Sequence, residues 1–453
     1  MNNQYDAFVI GAGLTGLTTA FYLKRKGKKV LVIEKNDRIG GVISTKEKNG
    51  FLFEQGPNTG ILGSVEMVDL IEDLGQAVQL EVGNDNVNKR FILKGTWQQL
   101  PSGIGGGIST PLFTTKDKFR ILGEAFRSRG KNEHETLAEM VRRRMGESFL
   151  NYAIDPFILG VYAGDPSYLV TRYALPKLYN LEQKYGSFIG GSVKKMFKAK
   201  DNSEARATRK VFSVNGGLSN LTGAIANEIG KENFILGASN LKINQTENGY
   251  ELSCNSNNET ISLNAKNVIT TVPAFELSEF LPFVEKEIIS KTENVFYAPV
   301  VEVALGFKNW NGIDLNGFGG LIPHIENRDL LGVMYMSSLF KNRAPENGAL
   351  ISIFVGGARK PHLTKLPQNE IENVVEKEMS ELMGIKNFNP DLFELIWHNK
   401  AIPQYGKESG ERFESVETIK NKYPGLFIGG NLCDGIGMAD RVKQGKKLAG
   451  LVD

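Results

Sequence analysis

The 453-residue chain predicts an α/β plus α+β fold: a discontinuous Rossmann-like nucleotide-binding domain, a mixed sheet and a helical lobe. Three observations carry this. A strand, a glycine-rich turn, a helix and a second strand ending on an acid occupy residues 7–34. A second glycine-rich loop followed by a helix closes the chain. Between these ends lie one region of helical periodicity and one of strand alternation.

Ala7–Ile10 is a short apolar run that reads as a buried strand, followed at once by Gly11-Ala12-Gly13-Leu14-Thr15-Gly16. Leu14, Leu17 and Phe21 recur at helical spacing, and Gly27 is a helix stop. Val30–Ile33 is a second strand, ending on Glu34. Gly11 makes the tight turn, Gly13 lets the backbone approach a pyrophosphate, and Gly16 lets helix pack closely on strand. The helix N-terminus offers free N–H groups and a positive dipole end to phosphates. Glu34 can accept hydrogen bonds from ribose hydroxyls, and its charge repels a 2′-phosphate. The pattern is a dinucleotide site, with NAD and FAD both open. Arg38-Ile39-Gly40-Gly41 follows too soon for the second helix of a nicotinamide domain. A cation and two glycines there can fold back over the same pyrophosphate.

The end of the chain, "YPGLFIGGNLCDGIGMADRVKQGKKLAGLV", reads as a turn, a strand Leu426–Ile428, a glycine-rich loop and a helix starting near Gly437–Asp440. That start points a second helix N-terminus at an anionic or electron-rich group. In mid-chain, "VFSVNGGLSNLTGAIANEI" gives a strand, Gly216-Gly217, and a helix with Leu218, Leu221, Ile225 and Ile229 on one face. Strands at Phe234–Leu236 and Leu241–Asn244 follow, and Asn267–Pro273 returns the chain to the nucleotide sheet. The expected division is 1–85 with 206–280 and 399–453 for the nucleotide domain, 86–94 with 281–398 for the mixed sheet, and 95–205 for the lobe. The lobe carries helical patterns at Lys116–Ser128 and Thr136–Met145 and ends in "KAKDNSEARATRK", read as a mobile loop. The sheet carries "VEVALGF", "LLGVMYMSS" and "ALISIFVGG", with one amphipathic helix, Pro367–Met383, presenting Ile371, Val374, Val375, Met379 and Leu382.

Composition narrows the function. At 41% hydrophobic and 23% charged the chain is a soluble globular type, and a net charge of +3 is too small to indicate nucleic acid. Arg142-Arg143-Arg144 is expected to form one solvated helix face. Two cysteines, Cys254 and Cys433, exclude a disulfide framework and fit a reducing compartment. The four histidines lack metal-ligand spacing, so no metal is expected, and no nucleophile elbow is visible. The polar N-terminus enters a strand by Ala7, and no apolar run reaches spanning length. A cytoplasmic protein is expected, with at most peripheral contact with the inner face of the cell membrane. Phe119–Arg129 mixes apolar and basic residues as interfacial helices do, but such a pattern more often marks a helix packed on its own domain, which is the expectation here.

The unit GxGxxG, Glu34 and Arg38-x-Gly40-Gly41 resembles the flavin-containing amine oxidase superfamily, whose cofactor is FAD. The resemblance implies FAD contacts in the first turn at Gly11, Gly13, Leu14, Thr15 and Gly16, and then at Glu34, Lys35, Arg38, Gly40 and Gly41. It adds Gly56, Pro57, Asn58 and Thr59, Leu241 to the adenine through its backbone, and Thr271. In the last loop it implies Gly430, Asn431, Gly435, Ile436, Gly437 and Met438.

"DPFILGVYAGDPSYLVTRYALPKL" (Asp155–Leu178) is similar to the oxygen-dependent protoporphyrinogen oxidases. "FEQGPNT", "NKRFILKG", "LPSG", "GFGGLIP", "FVGGAR" and "IPQY" carry the similarity over essentially the whole chain. It implies that the Gly160 carbonyl faces pyrrole nitrogens with Ala163 beside it, that Phe318, Leu321 and Phe354 clamp a macrocycle, and that Arg90 pairs a propionate. It also implies hydride transfer to flavin with no catalytic side chain, six electrons removed in three rounds, and O2 as acceptor giving H2O2. The partners it implies are a porphyrinogen, O2 and the next haem-pathway enzyme, a chelatase, for a monomer or homodimer. Three alternatives stay open. A coproporphyrinogen III substrate would need further cations, for which Lys89, Arg172 and Lys177 are candidates. A flavin amine oxidase should show an aromatic cage, absent from Asn431-Leu432-Cys433-Asp434, where Cys433 is either a flavin attachment or a small core residue. A non-catalytic FAD-binding scaffold is the third.

Overall fold

Two seven-stranded sheets frame the computed structural model, which describes residues 4–85, 87, 89–197, 205–256 and 259–452. In the first, Gln4–Ile10 lies between Val30–Ile33 and the second half of Glu259–Thr270, parallel to both. Phe234–Ile235 and Leu426–Ile428 extend this parallel core on either side. All four residues of Val30–Ile33 are buried, as a parallel strand covered on both faces requires. Helices Leu14–Arg25, Ser219–Ile229 and Met438–Ala449 cover one face through Leu17, Leu23, Leu221, Ile225, Val442 and Leu448. Ile243, Leu252, Leu277, Phe280 and Ile419 fill the other. The first half of Glu259–Thr270 turns to antiparallel partners, Gly249–Ser256 and then Ser239–Thr246. Strands from near both chain ends therefore share one sheet.

The second sheet runs Leu392–Pro403, Tyr297–Phe307, Ala349–Gly356, Leu330–Tyr335, Gly319–Leu321, Arg90–Lys94, Thr96–Gln99. It is antiparallel except where Gly319–Leu321 lies along Arg90–Lys94. Its register separates two faces. Val301, Val303, Ile353, Val355 and Val333 pack against Ile371, Val375 and Met379 of the helix Gln368–Met383. The alternate residues fall on the opposite face: Glu302 beside Phe354, Phe354 beside Gly332, Gly332 beside Leu321, and Arg90 beside Gly319.

The lobe departs from expectation in two places. Leu137–Arg144 forms as the periodicity predicts, opened by a reciprocal cap between Thr136 and Glu139. The pattern at Lys116–Ser128 does not give one helix: Thr115–Leu122 stops at Gly123, and Gly123–Phe126 is a tighter turn. That turn carries Glu124 inward, where Ser187, the Phe188 N–H and Arg144 donate to it. Burial opposes its ionisation, but these donors prevail and hold its carboxyl below the usual range.

The second departure is Arg142-Arg143-Arg144, which is not one solvated face. Successive residues on a helix point about 100° apart, so three in a row cannot share a side. Arg142 stays outside with Glu147, Arg143 lies between Glu135 and Glu182, and Arg144 is wholly buried between Glu124 and Glu182. Phe119, Leu122 and Phe126 are exposed, Phe126 at 92%, so these three do not pack on their own domain. Residues 198–204 of the polar stretch read as mobile lie outside the described residues. Among the described residues no helix is long and apolar enough to cross a membrane. Replacing Arg144 by Ala takes the paired cation from buried Glu124 and leaves buried Glu182 to Arg143 alone, an expected loss of about 3–5 kcal/mol. Arg142→Ala should stay within about 0.5 kcal/mol. Urea unfolding midpoints compare the two, and equal losses would refute the buried pairing.

Candidate active site

The turn after Gln4–Ile10 is built around close approaches. A Cβ on Gly16 would sit 1.9 Å from the Gly11 carbonyl oxygen, so helix and strand meet there only without a side chain. Gly11 adopts φ +96°, open to glycine at no cost. Gly13 caps the helix Leu14–Arg25 with no side-chain bond and no acid in the first turn, which leaves the leading N–H groups for a ligand. A Cβ on Gly13 would meet nothing within 4 Å, so its outer side is open.

The Arg38–Gly41 turn closes over this loop as the sequence suggests. The Gly40 N–H donates to the Ala12 carbonyl at 2.8 Å, and a Cβ on Gly41 would lie 3.0 Å from the Gly13 Cα. Gly56 presses on Val42 next door, where a Cβ would be 2.2 Å from the Val42 oxygen. Glu34, 6% exposed, accepts the Ala12 N–H at 2.8 Å and the Asn36 amide at 2.7 Å. Thr271 supports the turn from below, donating toward the Ile10 and Gly11 carbonyls. The Arg38 fork is folded onto its own loop, with Gly41 O at 2.8 Å, and Lys35 is engaged by Glu276. At Leu241 the strand pairing jumps from Ser239 to Lys242, leaving that backbone outside the ladder. The open glycine surface, the uncapped helix end and the acid beyond it fit a dinucleotide pyrophosphate and ribose.

The last loop abuts this cradle. A Cβ on Gly430, at φ +96°, would lie 2.9 Å from the Thr271 oxygen, and its N–H donates to Gln444 at 2.8 Å. The Tyr405 hydroxyl donates to Asn431 O at 3.0 Å and accepts the Gly435 N–H at 3.2 Å. Arg441 donates to the Cys433 and Gly435 carbonyls, both at 2.8 Å. Arg412, wholly buried, holds Leu432 O at 2.9 Å and lies against the rings of Tyr405 and Phe413. Arg412 carries no motif, and Tyr405, Arg441 and Gln444 lie in stretches whose similarity gave them no role; their contacts reveal one. Helix Met438–Ala449 starts where expected, but Asp440 in its first turn takes the Gly437 N–H at 3.1 Å, so this end already has its acid. Ile436 packs toward the lobe and Met438 into the parallel-sheet core. Cys433 is buried against Gln444, and burial with Asp434 nearby pushes its thiol up to about 12, the behaviour of an inert core residue.

Most of the proposed substrate positions converge on the face of the second sheet that meets the lobe. A Cβ on Gly160 would be 2.5 Å from a Leu321 methyl, so the helix Asp155–Tyr162 rests on that leucine. Ala163 ends the helix in a left-handed conformation (φ +45°), its carbonyl accepts the Ala358 N–H at 2.7 Å, and it packs with Phe354, Val300 and Leu331. Arg359 ties the lobe to the sheet by pairing both Asp155 and Asp165. At the far end of the face, the Arg90 guanidinium stands 4.7 Å over the Phe318 ring, and no ion pair joins it to a described acid. Of the further cations, Arg172 is taken by Glu133 and Lys177 is exposed, while Lys89 adjoins Arg90.

Comparison with known proteins agrees. Residues 14–452 match the family described as flavin containing amine oxidoreductase. The chain is 30% identical to the mitochondrial protoporphyrinogen oxidase of Nicotiana tabacum, over 98% of this chain and 94% of that protein. It is 26% identical to the coproporphyrinogen III oxidase of Bacillus subtilis (strain 168), over 97% and 96%. In fold it is similar to a crystal structure from Exiguobacterium sp. 255-15 assigned to protoporphyrinogen oxidase (TM-score 0.81, 22% identity, 98% and 97% covered). It also resembles cyclohexylamine oxidase from Brevibacterium oxydans IH-35A (TM-score 0.70, 14% identity, 99% and 98% covered). Cradle, fold and family together make this an FAD-dependent oxidoreductase that belongs to the flavin-containing amine oxidoreductases and, within them, to the protoporphyrinogen oxidase group.

Proposed function

We propose that this protein oxidises protoporphyrinogen IX to protoporphyrin IX in haem biosynthesis, removing six electrons with O2 as acceptor and H2O2 as product. The single observation that carries the reading is the sheet face under the lobe, apolar at the half-buried Leu321 and Phe354 and ended by a guanidinium free of any described acid. A porphyrinogen has the same layout: a broad apolar ring with carboxylates at its edge. FAD, when bound, supplies hydride acceptance. The chain's own residues bind and orient. Gly160 brings its helix close to the ring, Leu321 and Phe354 press on it, and Arg90 takes a propionate in a bidentate pair. Gly13 and the free N–H groups of the helix Leu14–Arg25 would hold the FAD pyrophosphate, and Glu34 its ribose.

A coproporphyrinogen III substrate is the second reading, favoured by the Bacillus subtilis relative and by Lys89 adjoining Arg90. Anaerobic bleaching of the flavin by protoporphyrinogen IX and coproporphyrinogen III, side by side, tests both: the faster reductant is the substrate. A flavin that neither bleaches would leave a non-catalytic scaffold. Peripheral membrane contact is supported by the exposed Phe119, Leu122 and Phe126, and sedimentation with anionic vesicles checks it.

Gly13→Val should fold and stay colourless, because the added side chain enters only the open cradle, whereas Gly16→Val should fail to fold. Circular dichroism and bound-flavin absorbance separate the two, and a yellow Gly13→Val protein would move the cofactor elsewhere. Arg90→Ala should lose about ten- to a hundredfold in kcat/KM through KM more than kcat, since the propionate is remote from the reacting carbon. Arg90→Lys should recover part, as a point charge lacks the fork. Steady-state kinetics with unchanged kcat/KM would make Arg90 a surface charge.

A further inference from the structure

Glu302 sits in the middle of Tyr297–Phe307, in the otherwise apolar run "VEVALGF", and is 2% exposed. It is directly opposite Phe354 on the sheet face under the lobe. An apolar residue there would avoid the cost of burying a carboxylate, so this one calls for a reason. Burial pushes its carboxyl above the usual range, against the nearby His398 ring and the Asn58 bond.

Its contacts supply the reason. The Asn58 amide donates to Glu302 at 2.6 Å, and the Ser352 hydroxyl donates to the Asn58 carbonyl oxygen at 2.6 Å. A third bond runs from the same amide to Gly56 O at 3.2 Å. Both ends of one buried carboxamide are thus gripped from the sheet, with Ser352 1% and Asn58 6% exposed. On the other side, His398 Nε2 stands 3.7 Å from Glu302 and has no hydrogen-bond partner among the described residues. Asn58 is in turn two residues from Gly56, which rests on Val42 beside Gly41 and Gly13. A continuous line of contacts therefore joins the sheet face to the glycine cradle.

We propose that Glu302 is a positioning residue for the cofactor: by gripping Asn58, it sets where the Gly56–Thr59 segment and the cradle behind it meet the substrate face. The inference rests on the FAD placement given above but not on the identity of the substrate. Ser352 fixes which end of the amide faces Glu302, and His398 borders the carboxylate on its remaining side.

The test strips FAD from the purified holoenzyme and titrates it back by fluorescence, with melting of the stripped protein as a second readout. Glu302→Leu should bind FAD at least about tenfold more weakly, the scale of one charge-assisted bond, while the stripped protein melts no lower than wild type. Glu302→Gln, which keeps an acceptor for Asn58, should restore most of the affinity. Asn58→Ala should show the same loss, and the double variant should add nothing to it. If Glu302→Leu does not fold, Ser352→Ala, which frees the other end of the amide, should weaken FAD in its place. Wild-type FAD affinity in Glu302→Leu, additive losses in the double variant, or a loss that follows a lowered melting temperature and is not rescued by Gln would each overturn the proposal. No readout uses a porphyrinogen, so a substrate that fails to bleach the flavin would overturn the function while leaving Glu302 as argued.

Discussion

The site depends on the carboxylate of Glu34 reaching back to the first turn, where it accepts the Ala12 N–H at 2.8 Å. That bond ties the end of the second strand to the middle of the glycine loop. With Gly16 pressed on Gly11 and Thr271 beneath, it leaves the loop a single shape. The Arg38–Gly41 turn can then dock on it through Gly40 and Ala12, and the last loop can dock through Gly430 on Thr271. Two segments, the Arg38–Gly41 turn and the last loop, are fitted to this turn, each by a glycine at the contact.

The second sheet solves a different problem. Period-2 alternation gives it a face that packs on the helix Gln368–Met383 and an opposite face that meets the lobe. That second face carries Arg90, Leu321, Phe354 and Glu302 on four different strands, and the lobe lies over it through Gly160 on Leu321. Glycine at 160 and 332 thins both layers; a Cβ on Gly332 would be 2.8 Å from the Gly320 oxygen. The lobe has its own apolar cluster around Leu137, Val141, Ile158 and Leu169, and charges tie it further, Arg359 outside and Arg144 inside.

What could be read from the sequence was what local pattern encodes. The strand–turn–helix–strand unit ending on Glu34, the helix after Pro367 and the helix after Gly437 all form where spacing placed them, because caps and periodicity act within a few residues. Arg144, Arg412 and Arg441 escaped that reading: each is a cation in a helix, indistinguishable from a solvated one until its distant carbonyl or carboxylate is in place. Lys116–Ser128 broke for the same kind of reason, since Glu124 turns inward to a partner 20 positions on. Glu302 was hidden inside an alternating strand, where only the register shows that it meets Asn58 from the first part of the chain.

The central claim is that one glycine cradle, continuous with the sheet face, fixes both cofactor and substrate. A crystal structure of the FAD complex tests it most directly. The expected complex has the pyrophosphate on the open side of Gly13 at the start of the helix Leu14–Arg25, the ribose hydroxyls on Glu34, and the flavin ring pointing toward Leu321 and Phe354. A flavin bound with its pyrophosphate away from Gly13, or with its ring turned from that face, would contradict it.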